Sequence, residues 1–312
     1  MRKIIGIGET ILDIIFKDEQ PTAAVPGGSV FNGIISLGRL GLDVTMITET
    51  GNDRVGQTIK NFMTDNGVNT NHICMYEDGR TAISLAFLNE RNDAEYTFYK
   101  DYPKARLDVE WPDIQKDDIV IMGSYFVLNP VLRDKVKDFL RYARKQEAFI
   151  YYDINFRSSH ASEAIKLYGT ILENFEYADI VRGSTEDLQN MFRISDPGRA
   201  YKQEVAFYCK NMLCTDADGD INLFTPAFTK EIKVQKIQTV STIGAGDNFN
   251  AGVIFGLIQE NIRRDDLSSI TVEQWANIIR HGVALASEVC KSFNNSISKD
   301  FAHNYLTLKK NN

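Results

Sequence analysis

"DIVIMGSYFVLNPVLRDKVKDFLRYARKQEAFIYYDIN", residues 118–155, holds two short apolar runs, "IVIMG" and "FIYYDIN", separated by one helix-length segment. A run of four to eight apolar residues bounded by turn signals reads as a strand covered on both faces. The rhythm continues with the helical stretch "SEAIKLYGTILENF", the strand "DIVRG" and the helix "STEDLQNMF". Strands alternating with helices imply a mostly parallel central sheet with helices on both faces.

Upstream, "KIIGIGE" and "LDVTMITETG" are strands around the helical segment "SVFNGIISLGRLG", a β-α-β beginning. "GNDRVGQTIKNFMTDNGV" reads as a turn and an amphipathic helix, and "TAISLAFLNERNDAEYTFYKD" as a hairpin around "NERNDAE". Downstream, "NMLCTDADGDINLFTP" is a strand pair around "DADGD". The strand "KEIKVQKI", a glycine turn and two long helices through about Ser292 follow. The expectation is a single α/β domain over 1–312, with a small β element drawn from roughly residues 12–24 and 80–104.

With 312 residues, 43% of them hydrophobic, the chain can bury a large core. A net charge of −7, with both signs spread along the chain, argues against nucleic-acid binding. No window is long and apolar enough to span a bilayer, and Gly6, Gly8 and Glu9 interrupt the first apolar run before a signal-peptide core forms. Cys74, Cys209, Cys214 and Cys290 show neither a CxxC pair nor metal-ligand spacing, so they are expected as reduced thiols in a cytoplasmic protein.

The glycine turn "STIGAGDNFNAG", residues 241–252, runs directly into an apolar helix. At such a strand-to-helix edge, bare amides and the helix dipole favour anions. Gly244, Ala245 and Gly246 leave their amides unshielded, a candidate anion hole for a phosphoryl group. Asp247, in the first helical turn, can take a proton from an alcohol; alternatively it caps the helix while the glycines allow close packing. The chain has no GxxxxGK[ST], no GxGxxG and neither kinase motif HRD nor DFG.

Three further clusters stand at the same kind of edge: Asp13 of "GETILD", Gly27, Gly28 and Asn32 of "GGSVFNG", and "GNDRVG" opening a helix. A carboxylate, an amide and a glycine pair suit the several hydroxyls of a sugar, although each also has a plain role as turn or helix-start residue. Asp153, Asn155 and Arg157 of "DINFR" fall at alternate positions, facing one ligand or serving as a salt bridge and caps.

In this order the motifs resemble the ribokinase-like (pfkB) family of carbohydrate kinases over essentially the whole chain, with "GAGDNFNAG" the most specific. The resemblance implies a Rossmann-like three-layer α/β sandwich with a small β-sheet lid, ATP and Mg2+ as cofactors, a sugar as partner, and a homodimer through the lid. It implies Asp247 as base and the amides of Ala245, Gly246 and Asp247 as anion hole. Asp13, Gly27, Gly28, Asn32, Asn155 and Arg157 would meet the sugar. Ser184, Gly219, Thr242 and Asn294 would lie near the nucleotide.

Departures from the family pattern carry information. Ser241 stands where the family commonly has Asp before Thr242, so the carboxylate associated with a monovalent-cation site is missing and potassium activation is not implied. "VRGSTEDL" replaces an Asn-x-x-Glu motif linked to magnesium; Glu186 and Asp187 are the nearest equivalents, Glu186 acting through water. Asp216 replaces a glycine beside the nucleotide. The expected activity is transfer of the γ-phosphoryl of ATP to a sugar hydroxyl, best matched to fructokinase. The alternatives are a 2-keto-3-deoxygluconate kinase, a nucleoside kinase of the same fold, and a non-catalytic sugar sensor.

Overall fold

Along Ile4–Ile7, Ile119–Gly123 and Phe149–Asp153 every residue is buried, and alternate side chains enter two different cores. Ile4, Ile119, Ile121, Phe149 and Tyr151 join one; Ile5, Val120, Met122, Ile150 and Tyr152 join the other. The period-two alternation of strand side chains makes an unbroken apolar run the signature of a sheet covered on both faces. The computed structural model describes residues 2–89, 94–216, 219–235 and 237–310.

The first half of the chain runs β1 (Ile4–Ile7), β2 (Ile11–Lys17), β3 (Gln20–Gly27), α1 (Ser29–Arg39), β4 (Val44–Gly51), α2 (Arg54–Asp65), β5 (Val68–Asn69), β6 (Ile73–Tyr76), β7 (Arg80–Leu88), β8 (Ala94–Asp101), β9 (Ile119–Gly123), α3 (Arg133–Lys145) and β10 (Phe149–Asp153). It continues with α4 (Ala164–Tyr177), β11 (Ile180–Ser184), α5 (Thr185–Phe192), α6 (Pro197–Ala200), β12 (Met212–Thr215), β13 (Ile221–Phe224), β14 (Thr229–Ile232), α7 (Ala245–Gln259), α8 (Val272–Val289) and α9 (Lys299–Lys310).

The large sheet has the order β14-β13-β12-β11-β10-β9-β1-β4-β5, with β6 also on β4. Its pairs are parallel except β12 with β13 and β13 with β14. Helices α1, α2, α7, α8 and α9 cover one face and α3, α4 and α5 the other. After β1 the chain moves one way to β4 and then returns to β9 on the other side. This reversal opens a crevice at the carboxyl ends of the strands, where ligands of such sheets bind.

The second sheet has four strands, β3-β2-β7-β8. Its centre is a parallel pair, β2 with β7, which the hairpin pattern of the sequence did not foretell, because pairing between distant segments leaves no local trace. Its edge strand β8 meets water: Phe98, on the face of Asp13 and Ser84, and Tyr99, on the opposite face, are 50% and 55% exposed. Side chains join this sheet to the body. Asp53, the N-cap of α2, accepts from the Gly56 amide (2.9 Å) and from the Thr81 amide and hydroxyl (2.9 and 2.7 Å). Glu9 accepts from Lys100 (2.6 Å) and Tyr102, and Glu49 from Arg106 and the Leu107 amide (2.8 Å).

Some boundaries differ from expectation. The strand expected over 230–237 is β14 alone, ending at Ile232; its exposed residues leave little apolar surface to extend the ladder. The hairpin turn "NERNDAE" lies outside the described residues at 90–93, as does "DADGD" at 217 and 218. No described helix is long and apolar enough to cross a membrane.

Candidate active site

Two helix starts meet at the crevice. Helix α1 begins after Gly28, whose φ of 137° and whose hypothetical Cβ, only 2.2 Å from the Glu9 carbonyl oxygen, admit no other residue without strain. Ser29 and Asn32 follow three residues apart, so both face the same side of its first turn. Helix α7 begins after Gly244 (φ 77°), packed against the Asn295 backbone, and passes close to α1 at Gly33, where a Cβ would sit 3.0 Å from the Asp247 carbonyl oxygen. These contacts, between residues more than 200 apart in sequence, bring Asp247 onto α1.

The Asp247 carboxylate does not cap its own helix, which has no side-chain cap. Ser29 Oγ donates to Oδ1 (2.9 Å) and Asn32 Nδ2 to Oδ2 (2.8 Å), while Asn155 Nδ2 donates to Ser29 Oγ (2.7 Å). Burial raises the Asp247 pKa above the usual carboxylate range. The Asn32 hydrogen bond, Arg157, the Ser29 hydrogen bond and Arg182 act against the rise. The result is a fixed carboxylate with raised proton affinity, facing a crevice between two helix starts.

The amides of the glycine turn are not equivalent. Ala245 N–H donates to the Thr242 carbonyl (3.2 Å), so the structure removes it from the expected set of free anion-hole donors. Gly246 and Asp247 N–H have no backbone carbonyl acceptor among the described residues, as the first turn of a helix requires. Exposed Thr242 contributes its carbonyl to that turn, and Ser241 Oγ accepts the Ile243 amide (3.2 Å).

Asp13, on β2, lies beside its register partner Ser84 of β7, whose hydroxyl donates to Asp13 Oδ1. Gly27, at the end of β3, leaves room for the other oxygen: a Cβ there would stand 2.5 Å from Oδ2. Burial pushes the Asp13 carboxyl up to about 6, against the Ser84 hydrogen bond and Arg157. Asn155 adopts a left-handed backbone (φ 38°) that turns it towards Ser29. Arg157 is exposed and makes no side-chain hydrogen bond or ion pair among the described residues, although its charge acts on both Asp13 and Asp247. The residues expected around a sugar therefore do gather, with Asp13 and Gly27 on the small sheet and Gly28, Asn32, Asn155 and Arg157 on the body.

The nucleotide and metal assignments fare less evenly. Asp187 is spent on local backbone. Oδ1 accepts the Phe156 amide (2.6 Å), and Oδ2 accepts both the amide and the hydroxyl of Ser184 (2.7 Å each). With Ser184 as N-cap this is a capping box of α5, which corrects the expectation of a metal ligand there. Glu186 is exposed in the same first turn, and among the described residues no group of three acidic, His or Cys side chains could hold a metal. Gly219 (φ 90°) sits in the turn after β12, where a Cβ would stand 3.9 Å from Val234 Cβ. Asn294 is exposed, its amide on Ser292 Oγ. Its neighbour Asn295 is the residue packed on the glycine turn, its backbone carbonyl accepting from Asn248 Nδ2 (2.8 Å).

Sequence reading passed over Ser29 and Arg182. Ser29 was legible, standing at helical spacing from Asn32 inside the same motif. Arg182 was legible as an anomaly, a cation within the buried parallel strand "DIVRG".

A model of the pfkB family of carbohydrate kinases matches residues 1–301. The probable fructokinase-6, chloroplastic, of Arabidopsis thaliana is 25% identical, covering 82% of this chain and 70% of that protein. The 5-dehydro-2-deoxygluconokinase 2 of Bacillus cereus is also 25% identical, covering 82% of each. Among solved structures, fructokinase from Vibrio cholerae O395 in a fructose-, ADP- and calcium-bound form superposes with a TM-score of 0.83 at 20% identity, over 98% of this chain and 99% of that one. With the family matched along almost its whole length, and a buried acid at the mouth of the glycine-turn helix, the chain belongs to the pfkB family of carbohydrate kinases and is a sugar kinase.

Proposed function

We propose that the protein transfers the γ-phosphoryl of ATP to a hydroxyl of a free sugar, fructose being the best acceptor. One observation carries this reading: the Asp247 carboxylate is held by Ser29 and Asn32 beside two helix-start amides that no backbone carbonyl among the described residues accepts from. Asp247 accepts the proton of the acceptor hydroxyl as that oxygen bonds to the γ-phosphorus. The bond from phosphorus to the β–γ bridging oxygen breaks, and ADP leaves. Gly246 and Asp247 N–H face the negative charge that moves during transfer. Positioning and charge neutralisation are most of what this chemistry asks of a protein.

The site fits ATP through those donors. For magnesium it offers Glu186, which would meet the hydrated ion through water, and when bound the ion would neutralise phosphate charge. Ser241 brings no carboxylate for a monovalent ion, so none enters the proposal.

Asp13, with one oxygen on Ser84 and the other against Gly27, orients the sugar hydroxyls. The small sheet acts as a lid that excludes water, and its face away from Asp13, carrying exposed Tyr99, is the surface for a homodimer. Arg157, with no side-chain partner among the described residues and with its charge acting on both acids, favours a second reading in which the acceptor is an acid sugar such as 5-dehydro-2-deoxygluconate. ADP release measured with fructose, other hexoses, keto-deoxy acid sugars and nucleosides separates the readings. Fructose is expected to give the highest kcat/KM, and a preference for an acid sugar would replace it.

A further inference from the structure

Behind the glycine turn lies an ion pair that the transfer chemistry described above does not use. Arg182, near the carboxyl end of β11, is 7% exposed, and Asp153, at the end of β10, is 1% exposed. Arg182 Nη1 donates to Asp153 Oδ1 (3.1 Å) and Nη2 to Thr215 Oγ1 (2.7 Å). The guanidinium then reaches Gly246: a Cβ on that glycine would stand 2.9 Å from Nη1 and 3.1 Å from Nη2. It also stands 5.8 Å from the centre of the Phe249 ring, one turn into α7.

A buried ion pair costs more desolvation than it returns unless every polar atom is met, and here two are not: Arg182 Nε and Asp153 Oδ2 have no partner among the described residues. Isolated structural pairs are usually completed; a pair left open beside an anion-binding turn has another use. Burial disfavours the Arg182 charge, but Asp153, Asp187 and Tyr151 together outweigh it and keep the guanidinium charged. Asp153 itself is pushed up to about 6 by burial, against the pull of Arg182.

Resting on the kinase reading, the geometry points to Arg182 as a positioning residue of the transfer site. Anchored by Asp153 and Thr215, it backs the Gly246 turn with a fixed positive charge that keeps Asp247 ionised and its amides in place. The charged and titratable groups acting on Asp247 include two cations, Arg157 from the loop after β10 and Arg182 from β11. Against them stand Asp13 of the small sheet and Asp153 of β10, with the Tyr96 hydroxyl also in range. Arg157 acts on Asp247 more strongly than Arg182 does, but of the two only Arg182 is buried and anchored by an ion pair and a hydrogen bond.

The test is the pH profile of kcat for Arg182→Gln, which keeps hydrogen-bonding capacity without charge, beside Arg182→Lys, which keeps charge. Wild-type turnover with its best acceptor answers for the kinase reading; the ratio of variant to wild type answers for Arg182. Arg182→Gln is expected to lose about ten-fold or more in kcat with KM values within about three-fold. Its acid limb should move up by about half a unit to one unit, because removing a nearby cation raises a carboxylate pKa. Arg182→Lys keeps the wild-type limb. An unmoved limb in Arg182→Gln, or an equal shift in Arg182→Lys, overturns the proposal. If Arg182→Gln does not fold, Thr215→Val, which frees Nη2 alone, decides: a lower kcat at unchanged KM supports it, and wild-type kcat overturns it.

Discussion

The start of α7 and the small sheet each place one aspartate in the crevice, by opposite means. Asp247 is 8% exposed, held by two side chains of a neighbouring helix and supported from behind by an arginine. Asp13 stands on a four-stranded sheet whose edge strand β8 is exposed to water, tied to the body by a few side chains around Glu9, Glu49 and Asp53. The difference teaches a division of labour. Transfer needs atoms fixed to a fraction of an ångström, so its acid sits where packing from both helices and the sheet leaves no freedom. In the proposed reading, acceptor selection needs entry and exit, and its acid rides on a sheet whose strands are in part exposed.

The sharpest way to break this contrast is Asp247→Asn, nearly isosteric and unable to take a proton. ADP release should fall by about 10²–10⁴-fold with little change in KM. Turnover within ten-fold of wild type would leave the two acids indistinguishable.

Rigidity on the body side is probed by Gly28→Ala. The added methyl meets the Glu9 carbonyl at 2.2 Å in a backbone conformation that suits glycine alone, so denaturant unfolding should show a loss of about 2–4 kcal/mol. An unchanged midpoint would mean that the helix start yields.

Asp13→Asn sharpens the other half. The folded protein holds the Asp13 proton up to about pH 6, whereas an ordinary aspartate releases it near 3.8. Stability from this group therefore falls as pH rises from about 4 to 6, and stays low above that. Asparagine removes the penalty, so the variant should be about 1–2 kcal/mol more stable at pH 7.5, level with wild type near pH 4, and weak in sugar KM. No gain at pH 7.5 would show that Asp13 is solvated like a surface carboxylate. The smallest effect is expected from Tyr99→Ser on the exposed face. A change within about 0.5 kcal/mol in melting analysis fits a water-facing residue. A larger loss, together with a smaller particle in gel filtration, marks the face as covered in solution.

Much of this was legible in the chain itself. Unbroken apolar runs such as "IVIMG" declared buried parallel strands, because a strand packed on both sides cannot alternate with polar residues. The glycines of "GGSVFNG" and "GAGDNFNAG" declared helix starts that backbone or ligand approaches closely. Asp187 and Ala245 were misread for one physical reason: local backbone groups outcompeted a ligand for them, and hydrogen bonds to one's own chain leave no mark distinguishable from those to a phosphate or a metal. Arg182 escaped because its meaning depends on Gly246, 64 positions later.

Periodicity and composition by themselves determined a two-faced sheet, its helices, and an acid at the mouth of a buried helix, since these follow from local patterns of burial and backbone freedom. Only the tertiary structure decided that β2 runs parallel to β7, that Ser29 and Asn32 hold Asp247, and that a buried cation stands behind the turn. Those are meetings of distant segments, fixed by how two helices and two sheets pack, and no local stretch of chain records its future neighbours.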